Sequence, residues 1–261
     1  MKVGRGKARQ KRASAPKLGQ LPLPLWKPRG GKRRGAGRKP KGPRAGSPHK
    51  ARPELKARHP VHVVLRTVTA VRSLRRRHTY QAIRWATLTT ARREDFRIVH
   101  VSIQRSHLHL LVEADGKGAL SAGLQGFQIS AAKHLNRAIS KGRPGPRRRG
   151  TVFPDRYHAE IITTPTQARH TLSYVLNNWR KHGEHQREVT RGWKVDWFST
   201  AAMFPGWAEY DHELEERRHF LWKGPDTHDP LVVYQPRTWL LREGWKKVGL
   251  ISKDEVPSAH R

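Results

Sequence analysis

Two histidines separated by one residue are the first candidates for chemistry in this chain. His107 and His109 alternate with Leu108, Leu110 and Val112, which is the pattern of a half-buried strand. Because side chains two apart on a strand point to the same face, the two imidazoles would project together as half of a divalent-metal site. The chain has 16 histidines, so this spacing by itself also fits an ordinary solvent-facing pair.

A second pair of candidates stands on a predicted helix over residues 164–183. Tyr174 and Asn178 are four residues apart and therefore share one face of that helix. A phenol can act as a nucleophile, and an amide oxygen can be a third ligand for a hard cation. A packed tyrosine beside a polar asparagine is the alternative. The opposite face carries an apolar stripe that needs a partner, comprising Ala168, Leu172, Val175, Leu176 and Trp179.

The elements that must position these residues follow one another in a recognisable order. Strands are predicted at 62–68, within 96–114 as a pair with a turn near 104–106, and at 152–163; helices are predicted at 71–93, 118–140 and 164–183. Thr164, Pro165 and Gln167 form an N-cap, first-turn proline and capping box for the last helix. The order predicts an α+β fold, a ferredoxin-like or RRM-like antiparallel sheet with packed helices.

Charge identifies the partner class. The chain has 54 Lys and Arg against 20 Asp and Glu, a net charge of +34, for which a polyphosphate backbone is the usual counterpart. Residues 1–60 hold 20 of the cations, nine glycines, nine prolines and Glu54 as their one acid. We therefore expect residues 1–58 to form a disordered basic arm, either a nucleic-acid tether or an extension with no selected role.

Composition also excludes several classes of protein. The absence of cysteine rules out a disulfide framework, a Cys-ligated zinc module and a thiol nucleophile. No apolar stretch is long enough to span a bilayer and no signal region precedes the fold, so we expect no membrane association and an intracellular protein.

The region 184–261 is rich in tryptophan and carries six of the nine in the chain, which are Trp193, Trp197, Trp207, Trp222, Trp239 and Trp245. They could stack on bases or cover the apolar stripe of the helix at 164–183. The acids Asp196, Asp211 and Glu213 have no spacing that marks them as metal ligands.

Four segments together resemble a known family. SHLHLLVEA resembles the HUH motif of single-tyrosine transposases, and YVLNNWRKHG at 174–183 is similar to the tyrosine helix of their REP-associated branch. VFPDRYHAEIIT resembles the segment before that helix, and VDWFST at 195–200 resembles the element after it. The resemblance covers about residues 60–205. Trp179 stands where this branch commonly has proline.

The resemblance implies an HUH endonuclease fold over residues 59–183 and a transposase activity. Tyr174 would attack a scissile phosphate of single-stranded or hairpin DNA, at repetitive extragenic palindromes, giving a 5′-phosphotyrosine and a free 3′-hydroxyl. His107, His109 and Asn178 would hold Mg²⁺ or Mn²⁺. It further implies a bacterial cytoplasmic, nucleoid-associated protein, as a monomer or homodimer.

Other residues are weaker candidates. Tyr157 is a rival nucleophile, although packing or base stacking suits its strand-like segment better. The expected DNA contacts are Arg147, Arg148, Arg149, Arg156, Tyr157, Arg180 and Lys181, of which the arginine run could equally be a solvated loop. A noncatalytic nucleic-acid-binding protein on the same sheet and a replication or conjugation initiator of the HUH class are the alternative functions.

Overall fold

A four-stranded antiparallel sheet is the centre of the structure. The computed structural model describes residues 52–142, 144–209 and 228–257. The strands are β1 (Val61–Arg66), β2 (Phe96–Ile103), β3 (His107–Ala114) and β4 (His158–Ile161), in the order β2-β3-β1-β4. This is the topology expected of a ferredoxin-like sheet, so the sequence-based fold class is confirmed.

Helices cover both faces of this sheet. They are α1 (Arg77–Thr90), α2 (Lys117–Ser140), α3 (Pro165–Leu176) and the single turns α4 (Asn178–Lys181) and α5 (Trp239–Arg242). The predicted order of strands and helices holds from β1 to α3. The observed bounds of the elements differ most from the predicted ones where the sequence has no capping or turn signal. None of the helices within the described ranges has the length and apolar character needed to cross a membrane.

The alternation on β3 divides the core into two layers. Leu108, Leu110 and Val112 pack in a cluster with residues of α1 and α2. Leu111, on the other face, packs in a second cluster with residues of α3. The histidines at 107 and 109 share the face of Leu111 because they differ from it by an even number of residues. The period-two pattern thus directs them toward α3.

The start of α3 follows from its local sequence, whereas its end does not. Thr164 Oγ1 accepts a hydrogen bond from the backbone N–H of Gln167, and Pro165 occupies the first turn. The Gln167 side chain accepts from the backbone N–H of Thr163 instead of that of the N-cap residue, a variation on the predicted capping box. The helix ends at Leu176 because the backbone leaves helical geometry at Asn177, where φ is −101° and ψ is 11°. The single helix predicted over 164–183 is therefore two.

The Trp-rich C-terminal region supplies the partner that the apolar stripe of α3 requires. Ala168, Leu172 and Leu176 share a buried cluster with Trp207 and Trp245. Covering α3 is thus the observed role of these two tryptophans, both almost completely buried. Trp222, Asp211 and Glu213 lie outside the described residues.

The other end of the predicted domain also differs from expectation. Most of the predicted arm, residues 1–51, lies outside the described part of the chain. Residues 52–58 are described, and Leu55 is buried in the α1/α2 core cluster while Glu54 pairs with Lys117. The packed structure therefore begins before residue 59.

A partly buried carboxylate, that of Glu255, holds its segment against α3 and makes the stability pH-dependent. Glu255 accepts from Arg169 at 2.6 and 2.7 Å and from Ser173 Oγ at 2.7 Å. Partial burial opposes ionisation, but these hydrogen bonds outweigh it and hold the pKa of Glu255 below its usual 4.5. The stabilisation is then present above pH 4.5 and is lost as the pH falls through the lowered pKa. We expect thermal unfolding midpoints of wild type and Glu255→Gln to differ at pH 7 and to converge below pH 4; a constant difference would contradict this.

Candidate active site

His107 and His109 lie at the start of β3, on the sheet face toward α3. Their ring centroids are 4.8 Å apart. His109 is 3% exposed, whereas His107 is partly exposed at the end of the strand. In the register with β1, His109 is opposite Val64 and His107 is opposite Arg66. The two imidazoles therefore form one cluster at a sheet end, with His107 on its open side.

Tyr174 reaches this cluster from α3. Its ring centroid is 5.2 Å from that of His109 and 5.8 Å from that of His62, both edge-on. The ammonium of Lys181, after the helix break, lies 4.7 Å from the centroid of the Tyr174 ring. A partly buried phenol, a cation and a histidine cluster thus meet between α3 and the sheet.

His62 on β1 is a member of the cluster that sequence reasoning did not single out. Its Nε2 lies 3.0 Å from Nδ1 of His109, and the two rings stack at 5.2 Å. His62 alternates with the buried residues Val61 and Val63, so its face could be inferred from the sequence. Its neighbour could not, because that depends on the pairing of β1 with β3.

His182 is the second residue that was missed. Its ring lies 5.8 Å from that of His107. It follows Asn178 by four residues, which is a helical spacing that could have drawn attention to it. The cluster thus has three histidines on strands, and Lys181 and His182 contact it from beyond the break in α3.

Two of the candidate ligand residues have buried polar atoms without a hydrogen-bond partner. His109 Nε2 and both amide atoms of Asn178 are buried and have no hydrogen-bond partner among the described residues. Such atoms are rare in native proteins unless a water, an ion or a substrate meets them. The described ranges contain no group of three His, Asp, Glu or Cys side chains placed to bind a metal. Two imidazoles and one amide oxygen are a donor set that fits a divalent cation completed by phosphate oxygens.

Burial keeps these imidazoles in the form that can ligate a cation. Burial lowers the pKa of His109 to about 2, assisted by the nearby charges of His62 and His107. Burial likewise lowers the pKa of His107 to about 4, with contributions from His182 and Arg66. Both rings are thus neutral at pH 7, and a neutral imidazole has a nitrogen lone pair for a metal.

Two of the predicted DNA contacts follow Tyr174 but differ in their surroundings. Lys181 is at the cluster, as described above. Arg180 instead donates to the backbone oxygen of Lys253 and to Asp254, each at 2.7 Å, and lies over the ring of Trp179. Arg180 therefore fastens the C-terminal segment in this structure.

Tyr157 lies apart from the histidine cluster. It packs against the α1/α2 core cluster on the other side of the sheet, and the Arg52 guanidinium lies 3.6 Å from its ring centroid. Arg156 is exposed beside it. No contact joins this tyrosine to His107 or His109 in the described residues, and this favours Tyr174 as the nucleophile.

The arginine run before β4 is divided between structure and surface. Arg148 is bound to the chain itself, through Asn136 Oδ1 and the backbone oxygens of Gly150 and Thr151. Arg147 and Arg149 are exposed, although Arg147 also donates to the backbone oxygen of Lys133 at 2.8 Å. The three neighbours are therefore not equivalent as candidate phosphate contacts.

A comparison with known families finds a match in this region. Residues 56–178 match the model of the family described as transposase IS200-like. We call this segment the IS200-like domain. The match runs from just before β1 to Asn178, so it contains His62, His107, His109 and Tyr174 as well. The match therefore confirms the resemblance to this family that is seen in the sequence.

Two solved structures are also similar to this chain. A REP-associated tyrosine transposase bound to a REP hairpin is 16% identical with a TM-score of 0.42, over 74% of this chain and 100% of that one. A protein from Deinococcus radiodurans R1 assigned as a transposase is 13% identical with a TM-score of 0.31, over 54% of this chain and 97% of that one. Similarities this low carry no argument about activity. No curated protein matches the chain.

Proposed function

We propose that the IS200-like domain cleaves and rejoins single-stranded or hairpin DNA through a covalent bond between Tyr174 and a 5′-phosphate. The observation that carries the proposal is the contact of Tyr174 with His109, whose ring also contacts that of His107. The buried, unpartnered amide of Asn178 is four residues after Tyr174 in the chain. Palindromic repeats are the proposed substrate because YVLNNWRKHG and its flanking motifs resemble the REP-associated branch.

His107, His109 and Asn178 would hold Mg²⁺ or Mn²⁺. When bound there, the cation would neutralise charge that develops on the non-bridging phosphate oxygens and would orient them. Tyr174 Oη forms the new bond to phosphorus, the bond from phosphorus to the 3′-oxygen breaks, and the strand ends in a 3′-hydroxyl. Attack by a 3′-hydroxyl on the phosphotyrosine reverses the bond changes, so the same residues serve cleavage and rejoining.

Lys181 has the position to assist the nucleophile. Negative charge builds up around the phosphate during the attack, and a cation nearby stabilises it. The ammonium of Lys181 is 4.7 Å from the ring centroid of Tyr174. We therefore assign Lys181 to stabilising negative charge on the phenol oxygen or the phosphate that it attacks.

His62 is assigned a positioning role. If His109 binds the cation through Nε2, its proton is on Nδ1, and His62 Nε2 at 3.0 Å is the acceptor. Such a partner fixes both the tautomer and the ring orientation of a ligating histidine. His62 thus orients His109 for metal binding without being a metal ligand itself.

Replacing His62 tests this role directly. We expect His62→Phe, which keeps a ring but loses the acceptor, to weaken Mn²⁺ binding by about ten- to a hundredfold. Binding of Mn²⁺ to the DNA-free protein can be followed by electron paramagnetic resonance. His158→Phe is the matched control, since His158 is exposed on the same sheet face. Equal affinities in wild type and His62→Phe would rule the role out.

A noncatalytic nucleic-acid-binding protein is less well supported. RNA-recognition sheets read bases on an open sheet face. Here α3 and the C-terminal region cover the face opposite α1 and α2, so both sides of the sheet are packed. Of the proposed active site, His107 and Tyr174 remain partly exposed.

The decisive experiment is a search for the covalent intermediate. Labelled hairpin oligonucleotides with single-stranded flanks are incubated with the protein and Mn²⁺, and the products are separated under denaturing conditions. We expect a protein-linked label that requires the cation and disappears with EDTA, and a phosphorylated peptide that contains Tyr174. Cleavage without a protein-linked product, or a linkage at another residue, would overturn the proposal.

A further inference from the structure

The layer formed by α1 and α2 has an unusual charge composition. Neither helix contains an aspartate or glutamate, although together they carry five lysines and arginines. Surface helices normally mix both signs of charge, because one sign alone repels itself. A layer with cations and no acids is therefore a candidate surface for an anionic partner.

A groove of about 1030 Å³ crosses this layer on its solvent side. Its lining includes the residues that we call the α1–α2 basic surface, which are Arg77, Trp85, His134, Arg137, Lys141 and Arg147. The four lysine and arginine side chains are exposed, and none forms an ion pair with a carboxylate in the described part of the chain. The groove has no acidic lining residue.

An exposed aromatic ring lies within these cations. Trp85 is 52% exposed, and it stacks on the ring of His134 with a centroid distance of 6.2 Å and an interplanar angle of 18°. The pKa of His134 is lowered by burial and then by the charges of Arg137 and Arg147, which agrees with a positive potential at this ring. A large indole held flat beside several cations is the arrangement that binds an unpaired base together with its phosphates.

We propose that the α1–α2 basic surface binds a single-stranded segment of DNA, with a base stacked on Trp85 and phosphates contacted by Arg77, Arg137, Lys141 and Arg147. This proposal rests on the proposed function, because both have DNA as the substrate. The sheet separates this surface from Tyr174, because α1 and α2 pack on one sheet face and α3 packs on the other. It is therefore a second contact with the strand, away from the phosphate that reacts.

Exposed base stacking distinguishes a single strand from duplex DNA and from an acidic protein. Bases in a duplex are already stacked on each other, and a protein carboxylate needs the cations but not the indole. The proposal therefore requires a contribution from Trp85 that depends on the bases of the ligand.

The test measures binding of the full chain to a labelled oligothymidylate and to an abasic strand of the same length, at several salt concentrations. Trp85→Ala should weaken oligothymidylate binding by about five- to a hundredfold and leave abasic-strand binding unchanged. Arg137→Gln/Lys141→Gln should weaken both and reduce the slope of log affinity against log salt by about 1.4. Trp85→Tyr, which keeps a stacking ring, should restore most of the loss.

Matched controls come from a different surface. Trp239 is 51% exposed and has the Lys247 ammonium 5.2 Å from its ring centroid. Trp239→Ala and Lys246→Gln/Lys247→Gln should have smaller effects than the α1–α2 variants. Equal oligothymidylate binding by wild type and Trp85→Ala would overturn the proposal. So would an Arg137→Gln/Lys141→Gln variant that loses affinity for a duplex of the same length but not for the single strands.

Failure of this inference can be separated from failure of the proposed function. Adduct formation on a short substrate at saturating concentration should be the same in wild type and Trp85→Ala. If wild type forms no adduct, the proposed chemistry fails, and oligothymidylate binding still decides the role of the α1–α2 basic surface.

Discussion

Tyr174→Phe is expected to abolish the covalent protein–DNA product, by at least about a thousandfold, because phenylalanine has no oxygen to attack phosphorus. Binding of Mn²⁺ should persist, since the histidines and Asn178 are unchanged. Adduct formation is measured by gel separation of the adduct from free labelled hairpin DNA. Binding of Mn²⁺ is measured by electron paramagnetic resonance of the DNA-free protein.

Tyr157→Phe is the matched control for this change. Tyr157 also has an aromatic hydroxyl, but it packs on the α1/α2 side of the sheet beneath Arg52. The variant should form the adduct at close to the wild-type rate. Loss of the adduct in Tyr157→Phe with retention in Tyr174→Phe would reverse the assignment of the nucleophile.

Asp196→Ala is expected to destabilise the fold strongly, by about 3–5 kcal/mol, because it leaves a buried arginine without its main partner. Asp196 is completely buried and accepts two hydrogen bonds of 2.8 Å from Arg75, whose side chain is only 5% exposed. The pair joins the segment before α1 to the VDWFST motif. The free energy of unfolding from urea titration measures the loss.

An exposed pair provides the comparison for this stability change. Arg93 and Asp95 also form a two-hydrogen-bond pair, but their side chains are 37% and 42% exposed. Asp95→Ala should therefore leave the unfolding midpoint close to that of wild type. If Asp196→Ala unfolds at the same urea concentration as Asp95→Ala, the buried pair has no special role.

Asp196 also shows how a sequence-level candidate acquires a different role. Among the acids of the C-terminal region, its spacing gave no reason to prefer it. In the structure Asp196 lies against the segment that precedes α1, and its carboxylate also accepts a hydrogen bond from the backbone N–H of Phe198. The adjoining backbone then covers edge strand β2, with Ile103 N–H donating to Phe198 O and Thr200 N–H donating to Val101 O. The VDWFST motif, which resembles a family signature, thus covers the edge of the sheet and supplies the carboxylate of a buried ion pair.

Local periodicity is what the sequence determined about this protein by itself. Alternation around His107 and His109 set the strand and its two faces. Four-residue spacing predicted that Tyr174 and Asn178 share one side of a helix, although in the structure α3 ends between them, at Leu176. These are short-range consequences of backbone geometry, so they can be derived without knowing the fold. The order of strands and helices followed for the same reason.

Tertiary structure decided which residues meet across the chain. The contact between His62 and His109 depends on the register of β1 against β3, and α3 ends at Leu176 although the sequence pattern predicts a helix up to residue 183. Glu113, a buried acid on β3, accepts hydrogen bonds from the backbone N–H groups of Arg237 and Thr238, more than 120 residues away. Such pairings arise from the free energy of the whole fold and leave no periodic signal. The sequence therefore predicted His107, His109 and Tyr174 as candidates, whereas the contacts of His62 and His182 with these histidines appear only in the structure.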